Sequence, residues 1–145
     1  MFKRILLPTD GSELSLHGVK LGIELASSCG ASVFALHVVA PFHSVSYVAE
    51  MVMATQAVYL EGAVEHAERY LADVRDLAAK AGVPCDSGHL VGDQPGEWIV
   101  HEAQHRQCDL IVMASHGRRG LDKLMLGSET QKVLQTSPVP VLVCH

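Results

Sequence analysis

Five short runs of aliphatic residues recur along the chain and predict β-strands. Most of these runs are continuously apolar rather than alternating, which is typical of parallel strands that helices cover on both faces. The runs cover residues 2–7, 33–39, 89–91 with a lead-in from 84, 110–114 and 139–144. The pattern therefore predicts a five-stranded parallel sheet.

Stretches of helical character separate these runs. They cover residues 12–29, 54–81, 96–106 and 128–136. Gly30 and Gly82 follow the first two stretches and are typical C-terminal stops. Residues 41–55 are either a partly helical flap or a further turn leading into the second helix. The order βαβαβαβαβ with right-handed crossovers predicts an open, doubly wound three-layer α/β sandwich, whose ligands bind outside the carboxyl ends of the strands.

Composition places the chain among single globular domains. It has 145 residues, of which 48% are hydrophobic and 19% charged, so we expect one domain over residues 1–145. The formal net charge of −5 argues against a nucleic-acid-binding surface, which needs an excess of Lys and Arg. The first apolar run is too short for a signal peptide or a membrane span, so we expect a cytoplasmic protein without membrane insertion. The four cysteines contain no C-x-x-C pair and are expected to be reduced thiols.

Polar residues follow the first predicted strand, where its carboxyl end reaches the edge of the sheet. Pro8, Thr9 and Asp10 form this end, and Ser12 stands where it can cap the next helix. The Asp10 carboxylate suits a sugar hydroxyl or an adenine amine as hydrogen-bond partner, or Mg²⁺. Alternatively, Asp10 only orders the turn.

The stretch after the fourth strand is the most informative for function. Gly117 and Gly127 allow backbone amides to approach a ligand closely. A helix that begins near Ser128 presents N–H groups and a positive dipole end to an anion. The hydroxyl groups of Ser128 and Thr130 add hydrogen-bond donors. Together these features predict a cradle for phosphate groups.

Several residues of this stretch have a second interpretation. Ser128 alternatively serves only as the N-cap of the helix. Arg118, Arg119 and Lys123 either neutralise phosphate charge or belong to a solvated loop. His116 either orders the loop or acts as an acid, a base or a phosphoryl acceptor. The signatures G-x-G-x-x-G and G-x-x-x-x-G-K-[ST] are missing, which disfavours a dinucleotide oxidoreductase and a Walker-type NTPase.

Four features of the sequence together resemble the universal stress protein family. They are Asp10 after the first strand, residues 36–39 closing the second, Gly92-Asp93 after the third, and a close relative of G-x-x-G-x9-G-[ST] after the fourth. The nine-residue spacer between Gly117 and Gly127 matches the family motif, and the resemblance runs the whole length of the chain. It implies an adenine nucleotide alpha hydrolase-like fold with strand order 3-2-1-4-5 and ATP at the switch point.

The resemblance also implies which residues surround ATP. At the adenosine end these are Pro8, Thr9, Asp10 and the backbone of Val38. The phosphate end would use Ala114, Ser115, Gly117, Arg118, Gly127, Ser128, Glu129 and Thr130. Mg²⁺ would accompany ATP near Asp10, with no metal held by the protein alone. Ala114 replaces the first glycine of the motif, and its methyl group is expected to crowd the ligand at a cost of about 1–3 kcal/mol.

Residues 101–105 match the H-E-x-x-H pattern of zinc peptidases. Ile99 and Ala103 define the apolar stripe of the predicted helix, so at about 100° per residue His101 and His105 lie on the solvent side. A surface helix supplies neither the third ligand nor the cleft of a catalytic zinc site. We therefore interpret the motif as a chance match, with weak Ni²⁺ or Zn²⁺ binding left open.

Three functions fit the sequence. The first is a homodimeric ATP-binding stress-response protein that switches with nucleotide and is not an enzyme beyond slow ATP hydrolysis or self-phosphorylation. The second is a protein-interaction module without nucleotide. The third is a phosphoryl-receiver domain with Asp93 as acceptor. In the first two, an apolar edge strand would form the dimer interface. Its residues are Val139, Val141, Leu142 and Val143.

Overall fold

The computed structural model describes residues 1–42, 56–117 and 125–145. Its strands are β1 Arg4–Pro8, β2 Ser32–Val39, β3 Cys85–Val91, β4 Leu110–Ala114 and β5 Val141–Cys144. Its helices are α1 Glu13–Cys29, α2 Gln56–Lys80, α3 Pro95–His105 and α4 Ser128–Thr136. Most of the flap suggested for residues 41–55 lies outside the described residues. Within the described ranges, no helix combines the length and the hydropathy that a bilayer crossing requires.

The described strands form one parallel sheet in the order β3-β2-β1-β4-β5, which confirms the predicted fold class. Ile5 of the central strand β1 lies opposite Val33 of β2 and Leu110 of β4. The strand order reverses at β1, so the switch point lies between β1 and β4. The receiver-domain hypothesis is wrong, because receiver domains have the order 2-1-3-4-5.

Alternate residues of β1 enter two hydrophobic cores, one on each face of the sheet. Ile5 and Leu7 pack in the cluster that contains Leu71 of α2. Leu6 packs in the other cluster, with Ile111 of β4 and residues of α3 and α4. These β1 side chains, Leu71 and Ile111 are fully buried. Because both faces are covered, the strands read as continuous apolar runs, and the hydrophobic pattern therefore predicted them.

The two ends of α1 follow the predicted capping. The Ser12 side chain accepts a hydrogen bond from the Ser15 N–H at 3.2 Å, which satisfies one of the first N–H groups of the helix. Gly30 ends the helix in the left-handed conformation with φ +69°. The helix therefore begins immediately after the turn that carries Asp10.

The last strand begins two residues later than predicted. β5 starts at Val141, whereas the apolar run starts at Val139. The Val139 N–H donates to the Ser137 hydroxyl at 3.2 Å, and Pro140 has no N–H for a strand ladder. Val139 therefore belongs to the connection before β5.

The free energy of unfolding should depend on pH through the thiol of Cys108, which lies just before β4. The residue is 4% exposed, and burial raises the pKa of the thiol from 9.0 to about 11, although Arg4 opposes the shift. Because the folded state holds this proton more tightly, the resulting stability is present below about pH 9 and is lost towards about pH 11.

We expect the difference in unfolding free energy between wild type and Cys108→Ala to shrink by roughly 2–3 kcal/mol between about pH 8 and about pH 11. Urea unfolding of both proteins at several pH values measures this difference. Titration of Lys and Tyr affects both proteins alike and cancels in the comparison. A difference that stays constant with pH would contradict the prediction.

Candidate functional site

A cavity of about 890 Å³ opens at the carboxyl ends of β1, β2 and β4. Residues of α2, the segment before α3 and the start of α4 complete its walls. The predicted site residues in its lining are Pro8, Thr9, Asp10, Val38, Ala114, Gly117, Gly127, Ser128, Glu129 and Thr130. Both ends of the predicted ligand site thus lie in one cavity, beside the switch point of the sheet.

The turn after β1 is held by hydrogen bonds to β2, to α1 and within the turn itself. The Thr9 N–H donates to the Leu36 carbonyl at 2.9 Å, and the Thr9 hydroxyl lies 3.1 Å from the Ser15 hydroxyl. The Asp10 Oδ1 atom accepts the Ser12 N–H at 3.0 Å. Asp10 therefore orders the turn, as its alternative interpretation predicted, while its side chain still lines the cavity.

The two predicted halves of the site meet where Asp10 faces Gly117. A Cβ atom added to Gly117 would overlap the Oδ2 atom of Asp10. Gly117 is therefore required for the close approach of the loop after β4 to the turn after β1. The carboxylate and the backbone of the loop thus line the same side of the cavity.

The start of α4 differs in detail from the prediction. Gly127, with φ −61° and ψ 150°, is the N-cap, and no side chain makes a capping hydrogen bond. The interpretation of Ser128 as the N-cap is wrong, because the Gly127 carbonyl already accepts the Gln131 N–H at 2.9 Å. The Gly127 N–H donates to the Ser115 carbonyl at 2.8 Å. Ser128 is the first helical residue and lines the cavity.

Two side chains of the first turn of α4 have structural partners. The buried Thr130 hydroxyl donates to the Ala114 carbonyl at 3.0 Å, which joins α4 to the end of β4. Glu129 accepts the Gly96 N–H at 2.5 Å and so joins α4 to the start of α3. These contacts fix the amino end of α4 against the end of β4 and the start of α3.

Ser115 and His116 do not combine into an exposed catalytic pair. The Ser115 hydroxyl lies 3.1 Å from the His116 Nδ1 atom, but Ser115 is only 2% exposed. Ser115 lines a second depression, beside Glu13 and His17, rather than the 890 Å³ cavity. The contact favours the interpretation that His116 orders the loop.

The wall that α2 contributes to the cavity was missed by the sequence analysis. Tyr59, His66 and Tyr70 line it together with His37 of β2. The ring of Tyr70 stands edge-on to His37 at 5.4 Å and lies 6.3 Å from the ring of His66. The His37 Nδ1 atom lies 2.7 Å from the Thr9 carbonyl oxygen. The sequence signal for this wall was the spacing of His66 and Tyr70, which lie one helical turn apart and therefore share a face of α2.

The remaining predicted residues are distributed as follows. Arg118, Arg119 and Lys123 lie outside the described residues. Val139, Val141 and Val143 are partly buried against the core on the α3 and α4 side. Leu142, on the opposite face of β5, is 39% exposed. Of the four predicted dimer residues, Leu142 therefore presents the most accessible side chain.

The H-E-x-x-H segment lies on α3 as predicted, with His101 and His105 exposed and Ile99 and Ala103 buried. In the described parts of the chain, no group of three or more metal-ligating side chains is arranged to hold a metal ion.

Known proteins share this sequence pattern and fold. A family model described as the universal stress protein family matches residues 1–145. A Methanocaldococcus jannaschii protein whose biochemical function was assigned from its structure is 30% identical, with a TM-score of 0.84 over 99% of this chain and 95% of that protein.

Two further solved structures share the fold at lower identity. One is a universal stress protein in complex with cAMP, with 23% identity and a TM-score of 0.75 over 99% of this chain and 97% of the other. The second is a universal stress protein of Archaeoglobus fulgidus in complex with dAMP, with 19% identity and a TM-score of 0.69 over 99% and 97%. The match over the full chain, together with the strand order and the glycine spacing, leads to one conclusion: this chain belongs to the universal stress protein family.

Proposed function

We propose that residues 1–145 act as a single domain that binds an adenine nucleotide, ATP with Mg²⁺, in the 890 Å³ cavity and responds to it by switching rather than by efficient catalysis. The observation that carries the proposal is the juxtaposition of the Asp10 turn and the amino end of α4 across one cavity at the switch point. Cavities of this size suit a ligand as large as a nucleotide.

The phosphate end of the proposed site is the first turn of α4. A helix leaves its first N–H groups without intrahelical partners and carries a partial positive charge at this end. In this chain the turn is anchored by Thr130 and Glu129, so its N–H groups are held in place before a ligand arrives. The Ser128 hydroxyl adds a donor. Arg118 is proposed to add positive charge.

The adenosine end of the proposed site lies between β1, β2 and α2. Pro8, Thr9 and the backbone of Val38 line it, with the rings of His66 and Tyr70 on the facing helix. Aromatic and imidazole rings offer flat surfaces to a purine. The structural relatives with bound cAMP and dAMP support an adenine ligand for this fold.

Asp10, where the two ends of the proposed site meet, also fits Mg²⁺ carried by the nucleotide. Asp10 offers a carboxylate in the cavity, next to the loop that contains Gly117. Mg²⁺ is usually held by one or two carboxylates together with phosphate oxygens and water. Asp10 would supply such a ligand and partly neutralise the ion, and the protein alone supplies no complete metal site.

Ala114 is the position where this chain departs from the family motif. It lines the cavity and is 8% exposed, so a methyl group in place of a hydrogen reduces the space at this end of β4. We propose that ATP still binds, at a cost of about 1–3 kcal/mol relative to a glycine at this position. Ala114→Gly would then tighten ATP binding, whereas the interaction-module hypothesis expects no binding in either protein.

The test of the proposed function is the nucleotide content of gently purified protein. Denaturing the protein should release an adenine nucleotide, which mass spectrometry detects. In a separate measurement, ATP with Mg²⁺ should raise the melting temperature of nucleotide-free protein by mass action. GTP at the same concentration is the control ligand. If no purine is released and ATP at about millimolar concentration leaves the melting temperature unchanged, the protein is an interaction module without nucleotide.

We further propose that the protein is a homodimer through β5. This strand pairs with β4 on one side, and parallel strands at a sheet edge present backbone groups for pairing with a second copy. In this dimer, Leu142 would contact its counterpart at the two-fold axis. The strand would be held in place by the packing of Val139, Val141 and Val143 on the core.

Leu142→Lys is expected to convert the dimer into monomers, because it places like charges opposite each other across a two-fold interface. Light scattering measures the mass. Leu134→Lys is the matched control, since Leu134 is also exposed, at 43%, but belongs to α4 and not to the edge strand itself. An unchanged mass for Leu142→Lys would exclude this interface.

A further inference from the structure

The exposed face of α3 carries two histidines one helical turn apart. The rings of His101 and His105 are nearly parallel, with an angle of 10° between them and centroids 6.0 Å apart. The His101 side chain is 60% exposed. Residues at i and i+4 of a helix are neighbours on its surface, so rotation of two exposed side chains can aim both imidazoles at one point.

Glu102 lies beside His101 on the same helix. Its carboxylate is 13% exposed and accepts the Arg106 Nε–H at 3.2 Å through Oε2. Its other oxygen lies 3.5 Å from the Nδ1 atom of His101. A carboxylate beside Nδ1 favours the tautomer with the proton there, which leaves the Nε2 lone pair for a metal. The Arg106 guanidinium lies over the Phe34 ring at 4.6 Å.

We propose that His101 and His105 form a surface site for a borderline divalent cation, Ni²⁺ or Zn²⁺, with Glu102 as a positioning residue. Neutral imidazoles suit these ions, whereas Mg²⁺ and Ca²⁺ prefer oxygen ligands. The two side chains are long enough to bring one nitrogen each to within roughly 2.1 Å of the same ion, which is the usual metal–nitrogen distance. Water completes the coordination, so the site binds metal without the closed cleft of a zinc peptidase.

This site is separate from the proposed nucleotide site. Neither histidine lines the 890 Å³ cavity, and neither does Trp98, whose ring stands edge-on to His101 at 5.5 Å. Trp98 is the only tryptophan of the chain. Ni²⁺ bound to His101 would therefore lie close to the one indole and quench its fluorescence, which gives a readout specific to this place.

The experiment is a titration of untagged, nucleotide-free protein with Ni²⁺, followed by Trp98 fluorescence. Wild type should show saturable quenching with one ion per chain. His101→Ala and His105→Ala should each weaken binding by more than about tenfold, and Glu102→Gln should weaken it by about tenfold, as the loss of an outer partner of a ligand does. Zn²⁺ should compete with Ni²⁺, and Mg²⁺ should not.

The matched control is His17→Ala, which removes an exposed histidine of α1 and should leave the titration unchanged. Melting temperatures without metal establish that all variants are folded. Quenching that persists in both His101→Ala and His105→Ala would overturn the proposal, and so would an equal loss in His17→Ala. The result does not depend on nucleotide binding, because no nucleotide is present.

Discussion

Gly11→Ala is expected to lower the free energy of unfolding by about 2–5 kcal/mol, a large effect for one added methyl group. Gly11 has φ +78°, where an L side chain costs about 1–2 kcal/mol. A Cβ atom at this position would also overlap the ring of Tyr70, and displacing a packed ring costs about 1–3 kcal/mol. The Tyr70 ring of α2 thus packs directly against the turn that carries Asp10.

Two comparisons separate these two costs. Gly30 has φ +69°, and a Cβ atom added there would meet only open space, so Gly30→Ala measures the backbone cost alone, about 1–2 kcal/mol. In a Tyr70→Ala background, Gly11→Ala should cost no more than Gly30→Ala, which gives a coupling energy of about 1–3 kcal/mol between positions 11 and 70. Urea unfolding of the four proteins of the cycle measures the coupling. Additive effects would mean that the ring does not restrict Gly11.

The fold was predictable because each local signal agreed with the long-range packing. Leu6 and its neighbours in β1 read as a continuous apolar run because both faces of β1 are buried, and only a parallel sheet inside two helical layers requires that. Ser12 and Gly30 marked the ends of α1 through their side-chain and backbone chemistry. The prediction was less accurate at β5, where a hydroxyl of the connection takes up the Val139 N–H.

The candidate site was predictable where it depends on neighbours in sequence. Gly117 and Gly127 lie between one strand and one helix, and Ser128 is the first residue of that helix, so their meeting at the sheet edge needs only the topology. The wall from α2 was not predictable in the same way, because the face that His66 and Tyr70 turn towards the cavity depends on how α2 packs on β2. The Glu129–Gly96 contact joins two helices and likewise has no local signal.

Gly127→Val is expected to weaken ATP binding at least about 100-fold while leaving the protein folded. Gly127 has φ −61° and ψ 150°, a conformation that valine adopts readily. A Cβ atom there would lie 3.2 Å from His116 and 3.4 Å from the Ser115 carbonyl oxygen, so these neighbours must yield by a few tenths of an ångström. A valine is also a poorer N-cap than glycine, so stability should fall by about 1 kcal/mol.

The effect on binding should be much larger than this effect on stability. A branched side chain at the N-cap stands beside the first N–H groups of α4, and each hydrogen bond from such a group to a charged phosphate is worth about 1.5–3 kcal/mol. Two lost contacts therefore correspond to the expected 100-fold or greater loss. Calorimetry with ATP and Mg²⁺ measures it for wild type and variant.

Gly30→Ala is the matched control for the binding experiment, because it destabilises the chain to a similar degree at a position outside the cavity. It should bind ATP as wild type does. If Gly127→Val also binds ATP with wild-type affinity, the amino end of α4 is not the phosphate site. If both variants lose binding equally, the loss reflects stability rather than a contact with the ligand. Only a loss confined to Gly127→Val assigns the phosphates to this helix. The reason is that the valine side chain would block access to the backbone N–H groups of its first turn.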